Sequence, residues 1–179
     1  DNISKITPGG VVTTFATVGN QPLDGVFDVS GNMYVANNLS DTVSKITPGG
    51  VVTTYGTTSS RPDAIDIDSL GNIYTADYNS DNVTIITAPS TSSVFAVVGD
   101  GPVDLIIDSN DNVFTLNNIG NTVTKITPAG SASLFATLTG SLSRMAIDSS
   151  DNLYVTTGTS VVKITPGGIV TTILSDLTN

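Results

Sequence analysis

An eight-residue segment that recurs along the chain is the feature that most limits how this protein can fold. It reads Ile-Ser-Lys-Ile-Thr-Pro-Gly-Gly at 3–10 and returns, with changes, at 43–50, 83–90, 123–130 and 161–168. Successive copies are 40, 40, 40 and 38 residues apart. A fixed period of this length is typical of architectures built by stacking similar units. We therefore expect most residues to serve the scaffold.

Each repeat contains two predicted β-hairpins. The inner hairpin turns at Gly31-Asn32 in the first repeat, and Gly-Asn or Asp-Asn occupies the same turn in the others. The outer hairpin turns at Pro48-Gly49-Gly50, where Pro presets φ and Gly permits the reversal. The flanking segments are rich in Val, Ile, Thr and Tyr, which favour strands. We expect apolar residues at equivalent strand positions to be buried between blades: Ile46, Ile126 and Ile164 at one position, and Val26, Ile65, Leu105 and Ala146 at another. Four antiparallel strands per repeat predict an all-β protein, a β-propeller built of four-stranded antiparallel blades with almost no helix.

The two kinds of hairpin differ in number, because the chain contains four inner hairpins and five outer ones. The prediction is a single propeller segment over 1–179. It consists of an extra N-terminal outer half-blade at 2–16 and complete blades at 22–57, 62–97, 102–137 and 142–175.

The half-blade lacks an inner partner, and several arrangements remain open. One alternative is that the chain is a fragment of a six- or seven-bladed ring. Others are an open arc that pairs with another copy and a closed four-bladed ring with a spare hairpin. The hairpin could also be donated to a sheet edge of a neighbouring subunit. A lone hairpin is marginal in water, so we predict an association hairpin whose apolar contacts are Ile3, Ile6, Val12 and Phe15.

The repeat resembles that of the NHL family. The resemblance rests on Pro62 to Asp68, on Gly71-Asn72-Ile73-Tyr74-Thr75 and on Val43 to Pro48, with parallels in every repeat. It implies the propeller fold and a role as a binding platform. Streptogramin-lyase and gluconolactonase-like propellers are similar at the blade level, and their chemistry relies on His or on Glu-containing metal sites.

Composition excludes several functions. The net charge is −10, with only six cationic residues among 179, so neither nucleic acid nor an anionic membrane surface is an expected partner. The chain has no apolar run long enough for membrane insertion. It contains no His, no Glu and no Cys. We therefore predict a non-enzymatic scaffold for protein binding or self-assembly, with no catalytic residue, metal or cofactor. The alternative is a sugar- or lactone-active enzyme with an Asp-ligated metal.

Residues that break the repeat mark a candidate binding face. In propellers the loops before the first strand and after the second strand of each blade share one face. Both arginines lie in such loops, and an arginine there clamps a carboxylate or simply neutralises the Asp excess. The candidate residues are Asp24, Arg61, Asp63, Tyr78, Asp100, Asp104 and Arg144.

Other repeated polar positions favour structural roles. Asp28, Asp68, Asp108 and Asp148 end the first strand of each blade, where Asp usually accepts backbone N–H bonds. The segment 66–72 only superficially resembles a calcium loop. Lys5, Lys45, Lys125 and Lys163 are expected to be solvated charges that protect edges. The partner is expected to be another copy or another protein. N-glycans are possible at Asn2, Asn38 and Asn82, and a Thr- and Asn-rich composition favours an extracellular or cell-surface location.

Overall fold

The computed structural model describes residues 1–175 and places eighteen β-strands in them, all paired antiparallel. The strands are β1 Asn2–Ile6, β2 Val12–Thr17, β3 Pro22–Phe27, β4 Met33–Asn37, β5 Thr42–Ile46, β6 Val52–Thr57, β7 Pro62–Ile67, β8 Ile73–Asp77, β9 Asn82–Thr87, β10 Thr91–Val97, β11 Pro102–Ile107, β12 Val113–Asn117, β13 Thr122–Ile126, β14 Ala132–Thr137, β15 Leu142–Ile147, β16 Leu153–Thr157, β17 Val161–Ile164 and β18 Val170–Leu174. Residues 176–179, the end of the predicted segment, lie outside the described residues.

The strands form one hairpin and four sheets, each from consecutive segments of chain. The hairpin is β1–β2, and sheets 1 to 4 are β3–β6, β7–β10, β11–β14 and β15–β18. In each sheet the strand order follows the sequence. The predicted all-β architecture, four antiparallel four-stranded sheets after an extra N-terminal hairpin, is confirmed. None of the described residues forms a helix able to cross a membrane.

The inner turn of each sheet is held by the carboxylate that ends its first strand. Asp68 Oδ1 accepts the backbone N–H bonds of Leu70 at 3.0 Å and Asn72 at 2.8 Å, and Asn72 Nδ2 donates to Oδ2 at 2.7 Å. Such side-chain bonds replace the backbone partners that a tight turn lacks. The equivalent carboxylates are Asp28, Asp108 and Asp148. The bonds from Asn152 lower the pKa of Asp148 to about 2.

Apolar side chains fill the junctions between successive sheets. The isoleucine that ends the third strand is fully buried in every sheet, as predicted for three of them: Ile46, Ile86, Ile126 and Ile164. Each junction also holds an edge-to-face aromatic pair between the second and fourth strands of one sheet, such as Tyr34 and Tyr55 with centroids 4.8 Å apart. These side-chain contacts set the distance between neighbouring sheets.

One predicted equivalence is wrong by one residue. We expected Val26, Ile65, Leu105 and Ala146 to match. The register pairs Ile65 with Thr75 and Leu105 with Thr115, and the same position is taken by Gly25 in sheet 1 and Met145 in sheet 4. Val26 is only half-buried and Ala146 is exposed. The same bulge occurs near the start of every first strand, and the true equivalents, Gly25, Ile65, Leu105 and Met145, are each 40 residues apart. The expected match had instead followed the apolar residues Val26 and Ala146, one position out of this period.

The sheets follow one another without closing. Four apolar clusters join the hairpin to sheet 1, sheet 1 to sheet 2, sheet 2 to sheet 3, and sheet 3 to sheet 4. Within residues 1–175, none of these clusters joins sheet 4 back to the hairpin or to sheet 1. The chain therefore forms an open arc, and the closed four-bladed ring is not the arrangement observed.

Candidate functional site

One face of the arc is built from two sets of loops that hydrogen-bond to each other. The Tyr78 N–H donates to the Arg61 carbonyl and the Asn118 N–H to the Gly101 carbonyl, both at 2.9 Å. Asp41 Oδ1 accepts the Arg61 N–H at 2.7 Å, which fixes the loop before sheet 2 at a positive φ of 56°. The loops are rigidly supported, so their side chains are presented in a defined geometry.

Arg61 lies at the centre of a polar cluster on this face. Its guanidinium carbon is 4.1 Å from the centroid of the Tyr78 ring, and its Nε donates to Asp63 Oδ1 at 3.3 Å. Asn38 Nδ2, from the neighbouring loop, donates to the same carboxylate oxygen. Burial raises the pKa of Asp63, and the Arg61 charge opposes that rise. Arg61 and Asn38 are therefore both hydrogen-bonded to Asp63, and Tyr78 packs against the Arg61 guanidinium.

A cavity of about 380 Å³ opens beside this cluster. Asp63 and Arg144 contribute the charged groups of its wall, Asn118 an amide, and Leu23 and Val103 apolar surface. Arg144 is exposed and donates from Nη1 to the Val103 carbonyl at 3.0 Å. The positive charge of Arg144 stabilises the ionised form of Asp63 and so opposes the rise of its pKa. The cavity can therefore present both a carboxylate and a guanidinium to a ligand.

The remaining predicted face residues divide into structural and unengaged groups. Asp24 Oδ2 accepts the Ile65 N–H at 3.1 Å and Asp104 Oδ2 the Met145 N–H at 2.6 Å, so each ties its sheet to the next. Asp66, which we had not selected for this face, does the same for Ile107 at 2.9 Å. Burial raises the pKa of Asp104 and of Asp66. Asp100 is an exposed loop residue. The binding face remains a prediction. Its strongest candidate contact residues are Arg61, Asp63, Tyr78 and Arg144.

Two residues near the cavity lie in the predicted loops of this face but were not selected as candidate binding residues. Asn38 and Asn118 stand at the start of loops whose Asn-Asn pairs resemble ordinary turn residues. Their signal was the recurrence of Asn at one place in two repeats, Asn37-Asn38 and Asn117-Asn118. No local pattern indicates that the Asn38 amide reaches a carboxylate 25 residues away.

Asp77 is a buried carboxylate that was not among the predicted binding residues. It ends β8, is 0% exposed, and accepts bonds from Thr84 Oγ1 at 2.5 Å and Thr75 Oγ1 at 2.9 Å. Burial raises its pKa to about 6. Asn37 and Asn117 occupy the same position in sheets 1 and 3. Asp77 therefore carries a titratable group where its counterparts are neutral.

The acidic residues that the structure describes do not combine into a cation site. No group of three or more acidic side chains in residues 1–175 is arranged to hold a metal ion. In the segment that resembles a calcium loop, the Asp66 and Asp68 carboxylates accept backbone N–H bonds instead.

The glycosylation prediction remains open, with different geometry at each sequon. Asn2 is exposed, whereas the side chains of Asn38 and Asn82 are buried at 3% and 8% exposure. A glycan needs an accessible amide nitrogen, and the Asn38 amide is bonded to Asp63. The folded protein can therefore accept a glycan most readily at Asn2.

The hairpin end of the arc is less covered than the junctions between sheets. Ile3 and Phe15 pack against sheet 1, whereas Ile6 is 66% exposed and Val12 is 62% exposed. The edge of β1 that faces away from β2 has no neighbouring strand in residues 1–175, where the third strand of every sheet is covered by the second. The four predicted association residues thus divide into two that hold the hairpin and two that are uncovered.

The fold is that of known β-propellers. A streptogramin B lyase structure superposes with a TM-score of 0.88 at 19% identity, over 97% of this chain and 62% of that one. A catalytically inactive histidine-to-alanine variant of virginiamycin B lyase from Staphylococcus aureus, bound to quinupristin, gives 0.85 at 19% identity over the same shares. Kuenenia stuttgartiensis hydrazine synthase gives 0.75 at 16% identity, over 89% and 51%. At these identities the likeness establishes the fold alone.

The chain spans less than two thirds of the length of these solved structures. No family model matches it, and no curated protein matches it. The propeller fold is therefore established, while the more specific NHL resemblance keeps the status of a sequence prediction.

Proposed function

We propose that the chain is a non-catalytic, NHL-like propeller scaffold that assembles end to end, outside the cell or at its surface. The observation that carries the proposal is the exposure of Ile6. It is 66% exposed, whereas its four counterparts in the sheets are 0% exposed. Burying such a side chain contributes about 1.5–3 kcal/mol. The hairpin face is therefore stabilised when another propeller sheet covers it.

The opposite end of the arc has an uncovered face of the same kind. On sheet 4, Ile173 and Leu174 are about half exposed, and they occupy the places of Phe135 and Ala136, which pack into the junction with sheet 4. Contact between the outer face of sheet 4 and the hairpin of a second copy covers both ends. This contact joins two different surfaces, so it is heterologous and can repeat.

Sedimentation velocity tests the assembly. We expect the wild-type chain to form species larger than a monomer as its concentration rises from about 10 to 500 µM, a range that detects weak contacts. Ile6→Lys and Ile173→Lys each place a charge on one end face and should remain monomeric. The matched control is Leu70→Lys, because Leu70 is 83% exposed in a turn away from both ends, and it should assemble like the wild type.

Mixing the two blocked variants distinguishes heterologous from symmetric contact. Each variant keeps one intact end, so a mixture should give a dimer and nothing larger. A wild-type chain that is monomeric at the highest concentration contradicts the proposal. Assembly of Ile6→Lys alone together with assembly of Ile173→Lys alone would also contradict the proposal.

The enzymatic alternative finds less support. One neighbouring lyase is described as inactive after the replacement of a histidine, and this chain contains no histidine and no glutamate. We expect no turnover of a panel of lactones and esters. Turnover that is lost on chelation, or in Asp63→Ala or Asp104→Ala, would overturn the non-catalytic assignment.

A further inference from the structure

We infer that the hairpin end also contains an aromatic socket, which accepts a tyrosine or phenylalanine carried on a β-hairpin that adds to the free edge of β1. The inference does not depend on end-to-end assembly. Its starting point is a groove of about 440 Å³ between the hairpin and sheet 1. The groove is lined mainly by apolar groups, among them Ile3, Phe15, Phe27 and Met33, with Lys5 at its rim.

The interior junctions define what belongs in this groove. In sheets 1 to 3 the fourth strand carries an aromatic ring, and a second ring from the second strand of that sheet stands edge-to-face against it. The pairs are Tyr34 with Tyr55, Tyr74 with Phe95, and Phe114 with Phe135, with centroids 4.8–5.1 Å apart. Phe15 occupies the corresponding place in β2. Its ring has no such aromatic partner among the described residues, because the hairpin has no second strand.

The contacts between lysines and aromatic rings are a second sign that a ring is missing beside Phe15. Lys45 Nζ lies over two rings, 5.3 Å from the Tyr34 centroid and 5.7 Å from that of Tyr55, and Lys125 lies over Phe114 and Phe135 in the same way. Lys5 lies over one ring, that of Phe15, at 5.8 Å. A cation held between two rings is stabilised by both. Lys5 and Phe15 thus form one half of an arrangement that is complete in sheets 1 and 3.

The free edge of β1 supplies the register for the missing half. The sequence of β1, Asn-Ile-Ser-Lys-Ile, is nearly that of β5, Thr-Val-Ser-Lys-Ile. In sheet 1 the strand beside β5 places Tyr34 opposite Lys45. A strand that adds to β1 in this register places its aromatic residue opposite Lys5, over Phe15. Main-chain bonds along the edge supply affinity, and the socket supplies specificity.

The chain's own sequence provides the probe. A synthetic peptide of residues 21–38 contains β3, β4 and the turn that Asp28 holds, and it carries Tyr34 at the required position. We expect the peptide, titrated to about 1 mM, to bind in the range of weak peptide complexes. Amide chemical shifts of isotope-labelled protein should change at residues 2–6 and around Phe15 and Met33, and not at β18.

Matched variants separate the socket from general stickiness. The Tyr34→Ala peptide should bind at least about tenfold more weakly, because removal of a buried aromatic anchor typically costs that much or more. On the protein side, Phe15→Leu removes the ring but keeps apolar volume and should weaken binding of the wild-type peptide several-fold. Ile169→Ala, at an exposed residue in the last turn of sheet 4, is the control and should leave binding unchanged.

Several results would overturn the inference. One is the absence of shifts at β1 at the highest peptide concentration, and another is equal binding of the two peptides. Shifts confined to sheet 4 would also contradict it. The peptide variants keep the protein in its wild-type form, so a folding defect in Phe15→Leu cannot decide the result. Sedimentation is read separately, so loss of the socket leaves end-to-end assembly standing, and the reverse also holds.

Discussion

The hairpin end and the junction between sheets 2 and 3 use nearly the same strand sequence and reach opposite degrees of burial. In β13 the sequence Thr-Val-Thr-Lys-Ile ends in Ile126, which is 0% exposed. In β1 the sequence Asn-Ile-Ser-Lys-Ile ends in Ile6, which is 66% exposed. The side chain is the same, and only its neighbours differ. In a repeat protein the energetic role of a residue is thus set by the units beside it.

The largest expected effect comes from truncating this isoleucine in the two places. Ile126→Ala leaves a cavity in a packed junction and should lower the free energy of unfolding by about 2–5 kcal/mol. Ile6→Ala removes exposed surface and should change it by less than about 1 kcal/mol. Urea denaturation of dilute protein measures both. Equal costs, or a cost below about 1 kcal/mol at Ile126, would show that the junctions are not packed as described.

The second test changes a charge inside the arc. Asp77→Asn gives sheet 2 the amide that sheet 3 has at Asn117, where Nδ2 donates to Thr124 Oγ1 at 2.9 Å. The pKa of Asp77 is raised in the fold, so folding favours its protonated form. Stability from this group is present below its ordinary pKa and is lost as the pH rises through about 6.

Asp77→Asn should therefore stabilise the protein by roughly 2–3 kcal/mol at pH 7.5 and hardly at all at pH 3.5. Urea denaturation at the two pH values measures this difference. Asn117→Asp is the reciprocal variant and should destabilise the protein at pH 7.5. A stability gain from Asp77→Asn that does not depend on pH would contradict the burial argument.

A third test compares aromatic rings with and without a partner. Phe135 stands edge-to-face against Phe114 at 5.0 Å, whereas Phe15 lacks such a ring. Phe135→Leu should therefore cost about 0.5–1.5 kcal/mol more than Phe15→Leu, since edge-to-face pairs contribute that much beyond area burial. Thermal denaturation of the two variants side by side gives the difference. A larger cost at Phe15 would mean that the hairpin is held by contacts other than those described.

The smallest expected effect lies on the opposite face, where sheets 2 and 3 also touch. Ser69 Oγ donates to Asp111 Oδ2 at 2.6 Å, and the bonds from Ser69 lower the pKa of Asp111. This stabilisation is present above the ordinary pKa of Asp and is lost as the pH falls through the lowered value. Ser69→Ala should cost less than about 1 kcal/mol at pH 7, with the difference shrinking as the pH falls below the ordinary pKa of Asp. A cost that does not change with pH would assign it to packing.

The regular parts of the fold could be predicted because their signals are local. A Pro-containing turn marked every outer hairpin and a Gly-Asn or Asp-Asn turn every inner one, and the recurrence of the two hairpins predicted the four sheets. The error at Val26 and Ala146 arose because apolar residues were matched, although the equivalent positions at Gly25 and Met145 follow the 40-residue period. A slip of one residue in a strand exchanges the two faces of the sheet.

The candidate face was harder to predict because its contacts connect distant parts of the chain. Arg61, Tyr78 and Asp63 were chosen as residues that break the repeat, and the structure brings them together. The Asn38 amide and the two-ring environment of the lysines involve partners on separate strands. Asp77 was not selected, because an Asp that replaces Asn at the end of a strand resembles other polar residues beside turns. Its burial in the folded protein is what makes it unusual.

The consecutive order of strands within every sheet has a consequence for how the chain folds and how its length can change. Each strand pairs only with its neighbours in sequence, so loop closure costs little and any sheet can form first. Amide hydrogen exchange should therefore be slowest in β8 and β12, which have sheets on both sides, and should quicken toward the ends. For the same reason, duplication or loss of one ~40-residue period lengthens or shortens the arc while leaving the path of the rest unchanged.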